Sequence, residues 1–155
     1  MSTDLPFTQE EIPVTDLEID PQIQRFNLNL RKVERIKRNF NPAALGVVTV
    51  SRRNRVTNVL LDGWTRRQVV AELTDNKGSL LAHVFKDLTR ALEAQMFLDL
   101  NAGNQPNLLE KIRARIIAED PSAVGVNATV RMYGFEVGPQ TGNSMIQCVG
   151  ALERI

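Results

Sequence analysis

A short turn near the middle of the chain carries residue types that could hold an anion. Residues 61–67 read Leu-Asp-Gly-Trp-Thr-Arg-Arg and lie between an apolar run typical of a strand and a run typical of a helix. A glycine turn that opens a helix directs unpaired backbone N–H groups and the positive end of the helix dipole at one point. Such a point suits a phosphate, and an arginine in the first helical turn adds a fork of donors. The predicted phosphate-binding residues of the turn are Gly63, Thr65 and Arg66.

Two neighbours of these residues have both a chemical and a structural interpretation. Asp62 is the candidate catalytic residue, as a general base or a metal ligand, but an Asp before Gly also hydrogen-bonds the backbone of its own turn. Trp64 could stack on a nucleic-acid base, a contact worth about 1–3 kcal/mol, or anchor the following helix in the core. The spacing alone leaves both questions open.

Basic residues are distributed unevenly along the chain. The totals, 19 Lys and Arg against 18 Asp and Glu, give a net charge of only +1, which excludes binding to nucleic acid by bulk charge. Residues 25–38 nevertheless contain six cations and a single acid, Glu34, and a local positive pole of this kind steers polyanions. The same run also fits a solvated helix face. The predicted nucleic-acid contacts are Arg31, Lys32, Arg35, Arg38, Arg52, Arg53 and Trp64.

Composition narrows the class of protein. The 155 residues, 43% apolar and 24% charged, predict one globular domain or one domain with a short appendage. No apolar run approaches the roughly 18 residues that span a bilayer, and the polar N-terminus does not resemble a secretory signal. The single cysteine, Cys148, excludes an internal disulfide and fits a reducing compartment, while His83 alone cannot form a zinc site. We therefore expect a cytoplasmic protein with no membrane partner and no resident metal site.

Hydrophobic spacing predicts an alternation of short strands and helices. Strands are predicted at residues 12–18, 46–51, 55–61 and 80–86, after a frayed segment of residues 1–10. Helices are predicted at residues 29–40, 65–73, 89–100 and 107–119, the last with a capping box formed by Asn107 and Glu110. Residues 123–132 fit a helix or a strand, residues 135–137 fit a short strand, and a helix is expected from Asn143 or Ser144 onward.

The order of the motifs resembles that of the ParB/sulfiredoxin superfamily, whose phage- and plasmid-type members are often called ParB-like nuclease domain proteins. The similarity spans roughly residues 10 to 118. It rests on Ile12-Pro13-Val14, Ile19-Asp20-Pro21, Gln22-Ile23-Gln24-Arg25, the basic helix, Gly46-Val47-Val48-Thr49-Val50, the Asp-Gly-x-x-Arg turn and Leu100-Asn101. The resemblance implies an α+β fold, with a small mixed sheet flanked by helices and a C-terminal helical extension.

The resemblance also divides the chain into parts. Residues 1–10 are expected to form a flexible N-terminus, residues 11–118 the ParB-like domain and residues 119–155 a mostly helical C-terminal extension. The apolar pattern continues to Ile155, which indicates a truncated chain or a final helix completed by a partner. A helix-turn-helix after residue 107 is disfavoured, because the linker at residues 134–142 is longer than such a motif uses.

The same resemblance implies partners for the turn. Arg25 is expected to complete the anion pocket if its loop folds over the turn, and Asn101 either reaches that pocket or closes its own helix as a C-cap. CTP or ATP with magnesium is the candidate cofactor, nucleic acid is the expected macromolecular partner, and a homodimer is compatible with the family. A phage-encoded chain of this type would act in the cytoplasm of its bacterial host.

The chain departs from the best-known branches of the superfamily. In the chromosome-partitioning branch the turn reads Gly-Glu-Arg-Arg, and a later box reads Glu-Asn-x-x-Arg. Here Trp64 and Thr65 replace the Glu and the first Arg, and Leu100 and Asn104 replace the outer residues of the box, so CTP hydrolysis of that kind is not expected. The turn lacks the sulfiredoxin cysteine, which excludes sulfinic acid repair. A third branch, with Asp-Gly-x-x-Arg turns and ATP-dependent phosphotransfer, matches the turn best.

Three functions are compatible with these observations. A module that binds nucleic acid or nucleotide, with a regulatory or DNA-organising role, fits the basic pole. A metal-dependent nuclease would need two or more clustered carboxylates, and Asp62 has only Asp20 as a candidate companion. A nucleotide-dependent phosphotransferase lacks an identifiable base. The binding module is the favoured prediction, and the two enzymes are its alternatives.

Overall fold

Short strands and helices follow one another along the chain, and the computed structural model describes residues 5–25, 27–103, 106–139 and 144–146. The strands are β1 (Phe7–Pro13), β2 (Leu17–Glu18), β3 (Val48–Arg53), β4 (Thr57–Asp62), β5 (Ser79–Lys86), β6 (Glu136–Val137) and β7 (Met145–Ile146). The helices are α1 (Leu30–Arg38), α2 (Trp64–Leu73), α3 (Arg90–Leu100), α4 (Leu108–Ile117) and α5 (Pro121–Met132). They fall into two compact units, one formed by Met1–Asp20 with Asn27–Leu88 and one by Pro21–Phe26 with Thr89–Ile155.

A mixed five-stranded sheet organises the first unit. Its strand order is β1-β5-β3-β4-β2, with β5 and β3 parallel, β3 and β4 antiparallel, and β2 parallel to β4. Alternate residues of β3 and β5, such as Val48, Val50, Ala82 and Val84, form one buried face of the sheet. This arrangement confirms the predicted α+β fold with a mixed sheet flanked by helices.

The N-terminal strand lies earlier than the sequence pattern indicates. β1 begins at Phe7 and pairs antiparallel with β5, from Phe7 opposite Phe85 to Pro13 opposite Ser79, and a short 3₁₀ turn at residues 14–16 separates it from β2. Residues 7–10 therefore belong to the sheet, whereas the sequence placed them in a frayed terminus. The sequence pattern misses the start of this edge strand because most of its side chains are polar and show no apolar alternation. Backbone hydrogen bonds to β5 and a ring contact between Phe7 and His83 hold the strand in place.

The described part of the second unit is mostly helical, and local capping signals set where its helices begin. Thr89 caps α3, Asn107 and Glu110 form the predicted capping box of α4, and Asp120 caps α5 before Pro121. Apolar side chains from several segments form its core clusters: Ile23, Phe97, Ala114, Ile112 and Ala123. Among the described residues of both units, no helix has the length and apolar character needed to cross a membrane.

Residues after position 120 resolve the ambiguities of the sequence and correct one prediction. Residues 121–132 form the helix α5, since the Asp120 cap and a proline in the first turn outweigh the β-branched residues. β6 matches the short strand expected near residue 136. Met145 and Ile146 were expected in a helix but form β7, which pairs in parallel with β6. The remainder of that predicted helix, residues 147–155, lies outside the described residues.

Candidate functional site

The Asp-Gly-x-x-Arg motif forms the predicted strand–turn–helix. β4 ends at Asp62, and α2 begins at Trp64 after Gly63, which adopts a left-handed conformation with φ of 114°. A Cβ atom at this position would overlap the side chain of Val48, with 2.9 Å to its Cβ atom. Both the backbone conformation and the neighbouring strand therefore require glycine.

Arg66 fastens this turn to the chain segment that leads into β3. Its Nη1 donates to the carbonyl oxygens of Leu45 at 3.1 Å and Val47 at 2.8 Å. Its Nη2 donates to the Asp62 carboxylate at 2.6 Å. Three of the five N–H donors of the guanidinium are thus occupied by groups of the protein itself. We call these contacts of Arg66 with Asp62, Leu45 and Val47 the arginine clamp.

The arginine clamp changes the electrostatics expected for the turn. The Asp62 carboxylate already neutralises Arg66, and it would repel a phosphate that approached the same guanidinium. The hydrogen bond from Arg66 also occupies one oxygen of the Asp62 carboxylate. Asp20, the other carboxylate considered, is paired with Arg53 at 2.9 Å. In the described ranges, no three His, Cys, Asp or Glu side chains are grouped so that they could hold a metal.

The other residues of the turn have structural surroundings. Trp64 is half-buried and packs against the main core of the first unit, which favours the interpretation as an anchor for α2. Thr65 is half-buried in the first turn of α2. Arg67 donates from Nε to the carbonyl of Leu17 at 3.1 Å. Gly63 provides no side-chain cap at the start of α2, so no side chain of the cap residue accepts from the first backbone N–H groups of the helix.

Arg25 and Asn101 contact each other within the second unit. Arg25 donates from Nη2 to Oδ1 of Asn101 at 3.1 Å, and Asn101 donates from Nδ2 to the carbonyl of Phe97 at 2.8 Å. Asn101 is the C-cap of α3 and is buried. Its amide therefore closes the helix, as one of the two sequence interpretations held, and orients Arg25. Arg25 and Asn101 thus belong to the second unit, whereas the predicted phosphate-binding residues Gly63, Thr65 and Arg66 belong to the first.

Two of the predicted nucleic-acid contacts are bound to acids inside the first unit. Arg52 donates to Asn58 at 2.8 Å and forms an ion pair with Glu10 at 2.8 Å, which joins β3 to β1 across β5. The hydrogen bond from Arg52 lowers the pKa of Glu10, and the hydrogen bond from Thr8 makes a smaller contribution in the same direction. Arg53 is held by Asp20. These arginines support the sheet, which leaves them less available for a ligand.

The helix α1 presents the remaining predicted cations. Arg31, Arg35 and Arg38 are exposed, and their spacing places them along one stripe of the helix. Within the described part of the chain, their guanidinium groups have no hydrogen-bond or ion-pair partner. We call this stripe the arginine face. With Leu30, Glu34 and Asn39, it lines an open groove of about 530 Å³. Lys32 is half-buried beside the stripe, and its backbone N–H is capped by Asn29.

Lys37 joins α1 to α2, a role that the sequence pattern did not indicate. Its Nζ donates to Glu34 at 2.9 Å on α1 and to Glu72 at 2.6 Å on α2. The hydrogen bond to Glu72 raises the pKa of Lys37 most, and the hydrogen bond to Glu34 raises it further. The i,i+3 spacing of Glu34 and Lys37 was visible in the sequence, but the bond to Glu72 depends on the packing of two helices.

Comparisons with known proteins support the fold. No protein-family profile matches the sequence, and no curated protein matches it. Among solved structures, the pNOB8-like ParB N-domain has a TM-score of 0.54 at 17% identity, over 93% of this chain and 54% of that one. A second form of that domain has a TM-score of 0.48 at 14% identity, over 85% and 49% of the two chains.

A third similar structure is the C-terminally truncated chromosome-partitioning protein ParB from Caulobacter crescentus, complexed with CTP-gamma-S. Its TM-score is 0.42 at 16% identity, over 81% of this chain and 83% of that one. The chain spans about half the length of the pNOB8-like ParB structures that it matches. At 17% identity the likeness to the pNOB8-like ParB N-domain concerns the backbone, and the chain has a ParB-like N-domain fold.

Replacement of Gly63 by alanine tests the constraint on the turn. We expect Gly63→Ala to lower the free energy of unfolding by about 2 kcal/mol or more, because it combines a left-handed backbone with overlap against Val48. Gly125→Ala is the matched control, since open space surrounds this helical position; it should raise stability by about 0.5–1 kcal/mol. Urea denaturation measures both, and equal effects would contradict the steric argument.

Replacement of Arg66 tests the arginine clamp. We expect Arg66→Gln to lower the free energy of unfolding by about 1–3 kcal/mol, because two carbonyl groups and one carboxylate lose a charged donor. Arg55→Gln, at an exposed position, should change it by less than about 0.5 kcal/mol. Unchanged unfolding of Arg66→Gln, together with loss of nucleotide-induced stabilisation, would instead assign this arginine to ligand binding.

Proposed function

We propose that the chain is a ParB-like nucleic-acid-binding module of phage or plasmid type with a regulatory or DNA-organising role. It contacts the phosphate backbone through the arginine face of α1. The observation that carries this proposal is the difference among the arginines: Arg52, Arg53 and Arg66 are bound to acids of the protein. The three arginines of the arginine face are exposed and have no such partner among the described residues.

The geometry of the arginine face suits a phosphate backbone. Arg31 and Arg38 are seven residues apart, so their Cα atoms are separated by roughly 10 Å along the helix axis. Guanidinium groups bind phosphate oxygens in a bidentate manner, and such contacts position a protein on nucleic acid without identifying bases. Because the net charge is only +1, affinity depends on this local cluster and not on the total charge.

Nucleotide binding at the turn is the second candidate. The open start of α2, where Gly63 provides no side-chain cap, favours it. CTP or ATP with magnesium remains the proposed ligand class for that position. A phosphate at Arg66 would meet the Asp62 carboxylate already bound there, and their repulsion makes the turn a weaker anion site than the sequence indicated. Self-association as a homodimer stays a prediction of the resemblance.

Nuclease and phosphotransferase activities receive less support from the geometry. Asp62 and Asp20 each form an ion pair with an arginine, and no three His, Cys, Asp or Glu side chains of the described ranges are grouped so that they could hold a metal. Hydrolysis or transfer of a phosphoryl group requires a carboxylate that is free to bind magnesium or to accept a proton. We therefore do not assign a reaction to this site.

Single substitutions on the arginine face test the proposed function. We expect Arg31→Gln, Arg35→Gln and Arg38→Gln each to weaken binding to a short fluorescent duplex at every sequence tested. Each should reduce the slope of log affinity against log salt by about one, because one phosphate contact is lost. Fluorescence anisotropy over a series of salt concentrations measures both quantities.

Lys77→Gln is the matched control, since Lys77 is an exposed cation of the first unit outside α1, close to Asp75. It should leave the slope unchanged. A wild-type chain that does not bind duplex, or three variants that bind like the wild type, would refute the proposal. A thermal-shift titration with CTP and ATP, with and without magnesium, tests the second candidate on the same samples.

A further inference from the structure

Glu34 is an acid within the proposed phosphate-binding stripe. It lies three residues after Arg31 and four residues before Arg38, and both spacings place the side chains on neighbouring parts of the helix surface. In an isolated helix, Glu34 would pair with either of these arginines. Such a pair would neutralise one cation of the arginine face and place a carboxylate against an approaching phosphate.

The structure contains a different pair. The Glu34 carboxylate accepts from Lys37 at 2.9 Å, and Lys37 is also bound to Glu72 of α2 at 2.6 Å. Glu72 is held in turn by Gln68, which donates to its other oxygen at 2.8 Å. Lys37 is more buried than Glu34, with side-chain exposures of 26% and 55%. The lysine is therefore anchored on the neighbouring helix, and its ion pair engages the carboxylate of Glu34.

We propose that Lys37 is a positioning residue for polyanion binding, because it holds the Glu34 carboxylate in an ion pair of its own and so keeps it out of ion pairs with the arginines of the arginine face. This inference rests on the proposed function. Lys37 itself points to Glu34 and Glu72 and is not one of the phosphate-binding cations. Its loss would release Glu34 toward Arg31 or Arg38, and the arginine face would then present two effective charges where it now presents three.

A double-mutant cycle on the intact chain tests this inference. The variants are Lys37→Gln, Glu34→Gln and the two combined, with binding to the same fluorescent duplex measured over a salt series. We expect Lys37→Gln to weaken binding by roughly two- to fivefold, the range of exposed charge pairs. The salt slope should also fall by about one, because Glu34 occupies one arginine. In the Glu34→Gln background, the same lysine substitution should have little effect.

Two further variants separate positioning from folding. Lys37→Arg retains a cation that can reach both acids, and we expect it to bind duplex like the wild type. Glu72→Gln weakens the anchor on α2 but leaves the contact of Lys37 with Glu34. It should therefore preserve the salt slope. Urea denaturation of each variant shows whether the fold is retained, and only folded variants enter the comparison.

The outcomes distinguish this inference from the proposed function. If Lys37→Gln weakens binding equally in the wild-type and the Glu34→Gln backgrounds, Lys37 contacts phosphate directly and the positioning role is refuted. If Lys37→Gln has no effect while the variants of the arginine face weaken binding, the inference fails and the proposed function stands. If neither the Lys37 variants nor the variants of the arginine face affect binding, the proposed function is refuted, and the inference that rests on it is refuted as well.

Discussion

The arginine clamp at the β4–α2 turn is the contact on which the first unit most depends. One guanidinium joins three separate points: the segment before β3, the end of β4 and the start of α2. Gly63 makes this approach possible, because it allows the helix to start directly against Val48. A partly buried cation with charged and carbonyl partners fixes direction as well as distance, which apolar packing alone does not.

Competition for cations decides where an anion can bind. The clamp, the Arg52–Glu10 pair and the Arg53–Asp20 pair hold elements of the first unit together. The charge of an arginine in such a pair is already neutralised, and the paired carboxylate repels a phosphate that approaches it. The arginines of the arginine face have no acidic partner among the described residues, while Lys37 binds the nearby acids Glu34 and Glu72. The chain thus contains two kinds of cation: arginines that are paired with acids of the protein, and the arginines of the arginine face, which are not.

Features that are set by residues close to one another in the sequence were predictable from it. The alternation of β3 and β5, the capping box of Asn107 and Glu110, and the strand–turn–helix at Gly63 are encoded within a few residues. The edge strand β1 was placed too late, because its polar residues are held by pairing with β5, far along the chain. The local pattern at β7 predicts a helix, whereas the strand forms because β6 supplies hydrogen bonds that no local pattern shows.

The sequence by itself determined the residue types of the candidate site: the glycine of the turn, the arginines around it and the basic stripe of α1. Only the tertiary structure decided which of those charges are engaged. Arg66 and Asp62 are four residues apart across the turn from β4 to α2, whereas the carbonyl groups of Leu45 and Val47 reach Arg66 because β3 pairs with β4. Glu72 likewise reaches Lys37 through helix packing. Charges interact over a few ångströms in space, and spacing along the chain measures that distance only within a single element.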